Sequence, residues 1–339
     1  MKARASAPAG AALVVLALVL ALSACGLSGN SANSPVTEPP AAPVPRAESE
    51  RTVSRPEPVP LEDFDAGNAM ADLRAIEAFG VRQGGSAAEA EVAAYIARRL
   101  TEFGYTARID EFPIVGGRTS RNVVARSEGR SERVLVIGAH MDSKPPSPGA
   151  NDNASGCGVV LEIARILASR PVTATVEIVF FGTEELVGGP GEHHLGSAYY
   201  VEQMNAEEQA NTAGMLSVDM IAVGENLHSR TMLRGPQTLS DFVLAQAAAT
   251  GLKMTFLKDP GRTGWSDHGP FELAGMPAVA LNRQSDPAYH TEEDTSERID
   301  PEMLRIAGQL VLDICRALDE PDLERLIIMS RASVRRRPV

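Results

Sequence analysis

Residues 133–142 read Arg133-Val134-Leu135-Val136-Ile137-Gly138-Ala139-His140-Met141-Asp142. Val134 through Ile137 is apolar without interruption. A strand with one wet face alternates apolar and polar residues, whereas an unbroken run of this length marks a strand covered on both faces, as in parallel sheets flanked by helices. The run ends in two side chains that can bind a cation, His140 and Asp142. Residues i and i+2 of a strand face the same way, so the pair projects together.

The same construction recurs downstream. A second apolar strand is expected at 174–181, followed by Glu184-Glu185, and a third at 213–218, followed by Asp219. Further strands are expected at 105–112, 122–126, 253–257 and 277–281. Helical periodicity marks 67–79, 87–103, 154–169, 194–204, 238–250, 267–274 and 301–318. Alternating strands and helices imply an α/β fold, a three-layer αβα sandwich around a mixed, mostly parallel sheet. Ligands bind such sheets beyond the carboxyl ends of the strands. His140, Glu184 and Asp219 therefore meet on one edge.

The chain has 339 residues, 44% hydrophobic and 22% charged, which is ordinary for a globular protein. Its net charge of −12 argues against a nucleic-acid partner. Residues 1–24 carry Lys2 and Arg4 and then an apolar run too short to span a bilayer, as in a secretory leader. The leader ends in Leu22-Ser23-Ala24-Cys25, which resembles the bacterial lipobox and implies cleavage before a lipidated Cys25. That predicts an extracytoplasmic protein anchored to a bacterial membrane. Residues 25–60, rich in Pro, Ser and Ala, read as a disordered tether. The folded domain is expected at 61–325 and a basic tail at 326–339. Cys157 and Cys315 fall in expected helices among apolar neighbours, which favours buried free thiols over a disulfide.

Each candidate residue has an ordinary reading. Asp142 beside His140 fits a solvated strand end, or a carboxylate that orients a metal-binding imidazole. Asp152, in Asn151-Asp152-Asn153 before the helix at 154, fits an N-cap, or a carboxylate bridging two metals. Glu184-Glu185 fits the first turn of a helix, or a ligand beside a general base. Asp219 follows an apolar strand with no nearby cationic side chain in sequence, which favours a metal ligand. His290, after Tyr289, fits a surface turn equally well, and His193, His194 and His268 are chemically as suitable as ligands.

The ordered set resembles one family. Gly138-Ala139-His140-Met141-Asp142-Ser143, Gly149-Ala150-Asn151-Asp152-Asn153-Ala154-Ser155-Gly156, Phe181-Gly182-Thr183-Glu184-Glu185, Gly196-Ser197, Val218-Asp219-Met220-Ile221, Ser266-Asp267-His268-Gly269-Pro270-Phe271 and Tyr289-His290-Thr291-x-x-Asp294-Thr295 look like the motifs of the di-zinc aminopeptidases of metallopeptidase family twenty-eight. This is the group of aminopeptidase Y and bacterial leucyl aminopeptidases. The resemblance implies a zinc-exopeptidase (phosphorylase/hydrolase-like) fold and two Zn²⁺ ions. His140, Asp152 and Asp219 would hold one ion, and Asp152, Glu185 and His290 the other, with Asp152 shared. It implies Glu184 as general base, Asp142 as the residue orienting His140, and Tyr289 as a hydrogen-bond donor to the oxyanion. His193, His194 and His268 fall outside that ligand set. The stretch from Leu186 to Leu195 departs from the family's compact pattern and bears on specificity.

The function implied is release of N-terminal residues from peptides or proteins with a free N-terminus. Two rivals stand beside it. Glutaminyl cyclases, single-zinc aminoacyltransferases of the same superfamily, also resemble His140-Met141-Asp142-Ser143-Lys144. A non-enzymatic binding lipoprotein on the same fold would be expected to lack ligands, and here every ligand position is filled.

Overall fold

Every residue of β3 (Val134–His140) is buried. Leu135, Ile137 and Ala139 join one apolar cluster, and Val134 and Val136 join another on the opposite face. This is the two-sided burial that an unbroken apolar run requires. The computed structural model to which β3 belongs describes residues 64–189, 191–259 and 263–334, with side chains as far as Met329. The expected leader (1–24), Cys25 and the tether (25–60) lie outside the described residues.

Around β3 lie β1 (Arg108–Ile114), β2 (Arg118–Ser127), β4 (Thr175–Phe181), β5 (Thr212–Val218), β6 (Leu227–Thr231), β7 (Met254–Lys258) and β8 (Ala278–Arg283). Among the described residues they form an eight-stranded sheet in the order β1-β2-β4-β3-β5-β8-β6-β7. The four central strands, β4, β3, β5 and β8, run parallel. β2 and β6 flank them antiparallel. The carboxyl ends of the central four therefore open on one edge, as expected.

Helices α1 (Ala66–Glu77), α2 (Ala87–Glu102), α3 (Ser155–Ser169) and α8 (Pro301–Ala317) share the larger cluster with one sheet face. On the other face α4 (Leu195–Gln203) and α7 (His268–Leu273) contribute Tyr200, Val201 and Phe271. The result is the expected three-layer αβα sandwich. Local signals set the helix starts. The side chains of Asp65, Ser86 and Asp300 accept the amides of Gly67, Glu89 and Glu302, and Pro301 occupies the first turn of α8. Cys157 and Cys315 are buried free thiols, as expected.

Three features depart from expectation. β6 was not anticipated, because Leu227-His228-Ser229-Arg230-Thr231 has no apolar pattern although all five residues are buried. A short helix, α5 (Ala206–Asn211), stands where none was expected, started by a capping box between Asn205 and Glu208. The domain boundary expected at 325 is corrected: α9 (Glu320–Val334) runs straight through it, and Leu323, Leu326 and Ile327 are core residues. α6 (Thr238–Ala249) matches expectation.

Glu89 of α2 is a buried carboxylate close under the site. It accepts from Ser120 Oγ (2.5 Å) and from the Gly85 amide (2.7 Å), with Arg121 4.0 Å away. Burial, reinforced by the charge of Asp142, pushes its carboxyl up to about 7 from an ordinary 4.5. A raised carboxyl stabilises the fold fully below the unfolded value, and that stability drains away as pH climbs to the folded one. The loss between pH 4.5 and 7 is of order 3 kcal/mol. Urea unfolding of Glu89→Gln at pH 5 and pH 8 should therefore show a smaller pH penalty than wild type. Parallel profiles for the two proteins would rule out this assignment.

Candidate metal centre

His140 ends β3, and Asp219 follows β5 directly. Glu184 and Glu185 follow β4 in a loop, since the next helix, α4, begins only at Leu195. The first-turn reading of the Glu pair is thus replaced by a loop. Asp152 does not cap α3 either. The cap position is Ala154, and Asp152 sits two residues before it with non-helical φ and ψ of −114° and 85°. The Asp152–Asn153 peptide is cis. Close approach requires the small residues here. A Cβ on Gly156 would lie 2.1 Å from the Val218 carbonyl oxygen, so only glycine lets α3 begin against the strand that delivers Asp219.

These segments bring five side chains together. His140 Nε2 lies 3.2 Å from Asp152 Oδ1 and 3.4 Å from Asp219 Oδ1. His290 Nε2 lies 3.1 Å from Asp152 Oδ2 and 2.8 Å from Glu185 Oε1. Two groups of potential ligands result, His140/Asp152/Asp219 and Asp152/Glu185/His290, each with its ligand atoms within 4.8 Å of one another. Asp152 belongs to both and turns one oxygen to each histidine.

The donors fit a cation. Among the described residues, His140 Nε2 and Asp219 Oδ1 are buried without a hydrogen-bond partner, and an unpartnered buried polar atom is costly unless something coordinates it. The electrostatics point the same way. Burial opposes charge on His290, yet Asp152 and Glu185 push it up to about 9. Burial likewise opposes charge on His140, and Glu184 and Asp219 overcome it, raising it well above the ordinary value. Burial raises Glu185 to about 7, with Asp152 adding to the effect, and raises Glu184 well above the carboxylate range. Burial would also raise Asp152, but the two histidines outweigh it and hold it low.

Residues of the surrounding layer hold this geometry. Asp142 is fully buried and lies 3.5 Å from His140 Nδ1 without a hydrogen bond. Its oxygens also accept the amides of Glu184 (3.0 Å) and Glu185 (3.2 Å). It therefore clamps the loop carrying the Glu pair. Asp294 accepts the amides of Asn151 (2.7 Å) and Asp152 (3.2 Å). Arg82, fully buried, donates to the carbonyls of Met141 (2.9 Å), Gly80 (3.0 Å), Pro148 and Gly149 (2.9 Å), tying the His140 and Asp152 segments together. Asp294 and Arg82 were not assigned roles from sequence. Asp294 stood in the quoted Tyr289-His290 motif, whereas nothing around Arg82 marks it. Strain gathers here too. Thr183, His194, Met220, Ser285 and His290 all take positive φ, an unfavourable conformation for non-glycine residues that the surrounding structure must impose.

A cavity of about 310 Å³ opens over the donors, bounded by Asp152, Glu184, Glu185, Asp219, Trp265 and Tyr289. Tyr289 is half exposed and stacks on His290, ring centroids 3.6 Å apart. Burial, helped by Asp152 and Glu185, raises its phenol well above the ordinary value. A larger cavity of about 560 Å³, bounded by Arg108, Glu177 and Tyr200, contains none of the donor residues. His193 and His268 are in neither donor group. His268 Nε2 lies 3.0 Å from Asp259 Oδ2 instead. His194 is also outside the groups but lies 2.9 Å from Glu184, a contact the sequence did not suggest.

Comparison with known proteins places the chain. The model of peptidase family M28 matches residues 122–315, more than half of the chain, and the protein belongs to that family. It is similar to aminopeptidase YwaD of Bacillus subtilis (strain 168), 32% identical over 204 residues that cover 57% of this chain and 44% of that protein. It is also similar to a Mycobacterium tuberculosis protein named "Probable lipoprotein aminopeptidase LpqL", 33% identical over 225 residues covering 56% of this chain and 43% of the relative. The chain thus spans less than half the length of these two relatives. The solved structure of BSAP, a zinc aminopeptidase from Bacillus subtilis, shares the fold with a TM-score of 0.68 at 20% identity, covering 75% of this chain and 95% of that one. Tannerella forsythia glutaminyl cyclase shares it as well, at TM-score 0.65 and 24% identity over 76% of this chain and all of that one.

Proposed function

We propose that this protein is a zinc-dependent aminopeptidase that removes N-terminal residues from peptides. Two ions would be held by His140, Asp152 and Asp219 and by Asp152, Glu185 and His290. The observation that carries the reading is Asp152, whose two oxygens face histidines of different donor groups at 3.2 and 3.1 Å. When bound, the ions supply a lowered water pKa and a polarised scissile carbonyl. Glu184, unclaimed by either donor group and bordering the cavity, takes the proton of the attacking water and passes it to the leaving amine. Asp142 holds Glu184 and Glu185 at fixed spacing through their amides. Tyr289, at the cavity wall, donates to the developing oxyanion. The substrate α-amine would sit beside Glu184 and Asp219, which explains the need for a free N-terminus.

The names of the relatives support the activity, and the second donor group favours a peptidase over the single-zinc cyclase reading. The deciding experiment is turnover on a panel of aminoacyl reporters before and after chelation. Release of the N-terminal residue should stop with chelator and return with Zn²⁺. Absence of metal-dependent release from every reporter, or pyroglutamate formation from N-terminal Gln in its place, would overturn the proposal.

We also infer that the protein is lipid-anchored through Cys25 outside the cytoplasm. The Leu22-Ser23-Ala24-Cys25 sequence and the lipoprotein named among the relatives support this. No helix among the described residues is long and apolar enough to cross a membrane. Cells grown with a labelled fatty acid should label the wild-type protein and not Cys25→Ala. Absence of label in the wild type would contradict the anchor.

A further inference from the structure

We propose that His194 is a positioning residue for Glu184, fixing the carboxylate in the orientation a base needs. This rests on Glu184 being the base. His194 Nε2 lies 2.9 Å from Glu184 Oε1, and both side chains are buried.

The intervening loop is built to bring them together. The His194 amide donates to the Glu184 carbonyl and the Leu195 amide to the Thr183 carbonyl, both at 2.8 Å. These two bonds close the loop at its neck. Within it, the Val187 amide reaches the Glu192 carbonyl at 3.2 Å. Thr183 and His194, one at each side of the neck, hold φ of 51° and 55°. Left-handed backbone at a non-glycine residue is unfavourable and persists only where the surroundings impose it. At His194 this turn stands where the ring meets the Glu184 carboxylate. On the backbone side, Ser197 Oγ lies 3.2 Å from the His194 carbonyl and donates to Asp267 Oδ1 at 2.6 Å. Beside the His194 ring, His193 packs edge-on with centroids 4.1 Å apart.

The chemistry of the partner suits the task. A cationic group this close would pair with Glu184 and weaken it as a base. Burial, with the neighbouring His193, His268 and His140, pushes His194 well below its ordinary value, which favours the neutral ring. A neutral imidazole restrains the carboxylate without neutralising it. Glu is a flexible side chain that loses considerable rotamer freedom when fixed. Asp142 secures only its backbone amide, so the restraint on the carboxylate itself falls to His194.

The test compares zinc-loaded wild type, His194→Asn and His194→Gln on one aminoacyl reporter, reading kcat, KM and zinc content. Asn tolerates positive φ, so the turn survives, but its amide is too short to reach Glu184. His194→Asn should lower kcat by about 10- to 100-fold, with KM and zinc content unchanged. His194→Gln, whose longer amide can reach, should recover much of the loss. In a Glu184→Gln background, His194→Asn should have no further effect. Wild-type kcat in His194→Asn, a loss that follows zinc content, no recovery with Gln, or a full additive loss in the double variant would each overturn the positioning role. Retained turnover in Glu184→Gln alone would instead bring down the assignment of the base.

Discussion

Glu184→Gln is expected to leave the chain folded and zinc-loaded while lowering turnover by roughly a hundred- to ten-thousand-fold, the span over which positioned general bases act. The reason is a division of labour between adjacent carboxylates. Glu185 lies 2.8 Å from His290 and shares a donor group with it and Asp152. Glu184 belongs to neither donor group and faces His194 and the cavity. A carboxamide keeps the size of Glu184 and the backbone bond to Asp142 but cannot take a proton. Steady-state kinetics with zinc analysis on the same preparation check this. Turnover within a few-fold of wild type would remove Glu184 from the mechanism.

Asp152→Asn should be as damaging by a different route. The variant loses one charge and one ligand oxygen at the residue shared by both donor groups. It also leaves an amide hydrogen pointing at a histidine nitrogen that Asp152 now approaches at 3.1–3.2 Å. Turnover should fall roughly a thousand-fold or more, because both water activation and carbonyl polarisation depend on bound ions. Unlike Glu184→Gln, the loss should come with lost zinc. Full zinc content in Asp152→Asn would show that Asp152 does not bridge. The pair of variants therefore separates removal of the base from removal of the ions.

Much of this site was legible because strand ends advertise themselves. Unbroken apolar runs before His140, Glu184 and Asp219 identified doubly covered strands, and parallel order brought their ends to one edge. The order of short motifs then placed Asp152 and His290, which periodicity alone could not distinguish from a cap and a turn. What stayed hidden depends on partners distant in the chain. Asp142 bonds amides more than forty residues away, and the Arg82 side chain donates to backbone carbonyls, which carry no side-chain signature. The role of His194 depends on a left-handed turn at the end of a loop that no local pattern forecasts. β6 escaped because its polar residues are buried against other polar groups, such as Ser229 against Ser240 and Arg230 against Asp259. The run of α9 past residue 325 was present in the helical spacing of Leu323, Leu326 and Ile327, but the Arg-rich end beyond it masked the signal.

The most direct measurement of the central claim is the number of zinc ions per chain in purified, catalytically active protein, determined by elemental analysis against an accurate protein concentration. If the two donor groups joined at Asp152 each hold an ion, as proposed, full activity comes with two ions per chain. Full activity with a single ion per chain would contradict the account.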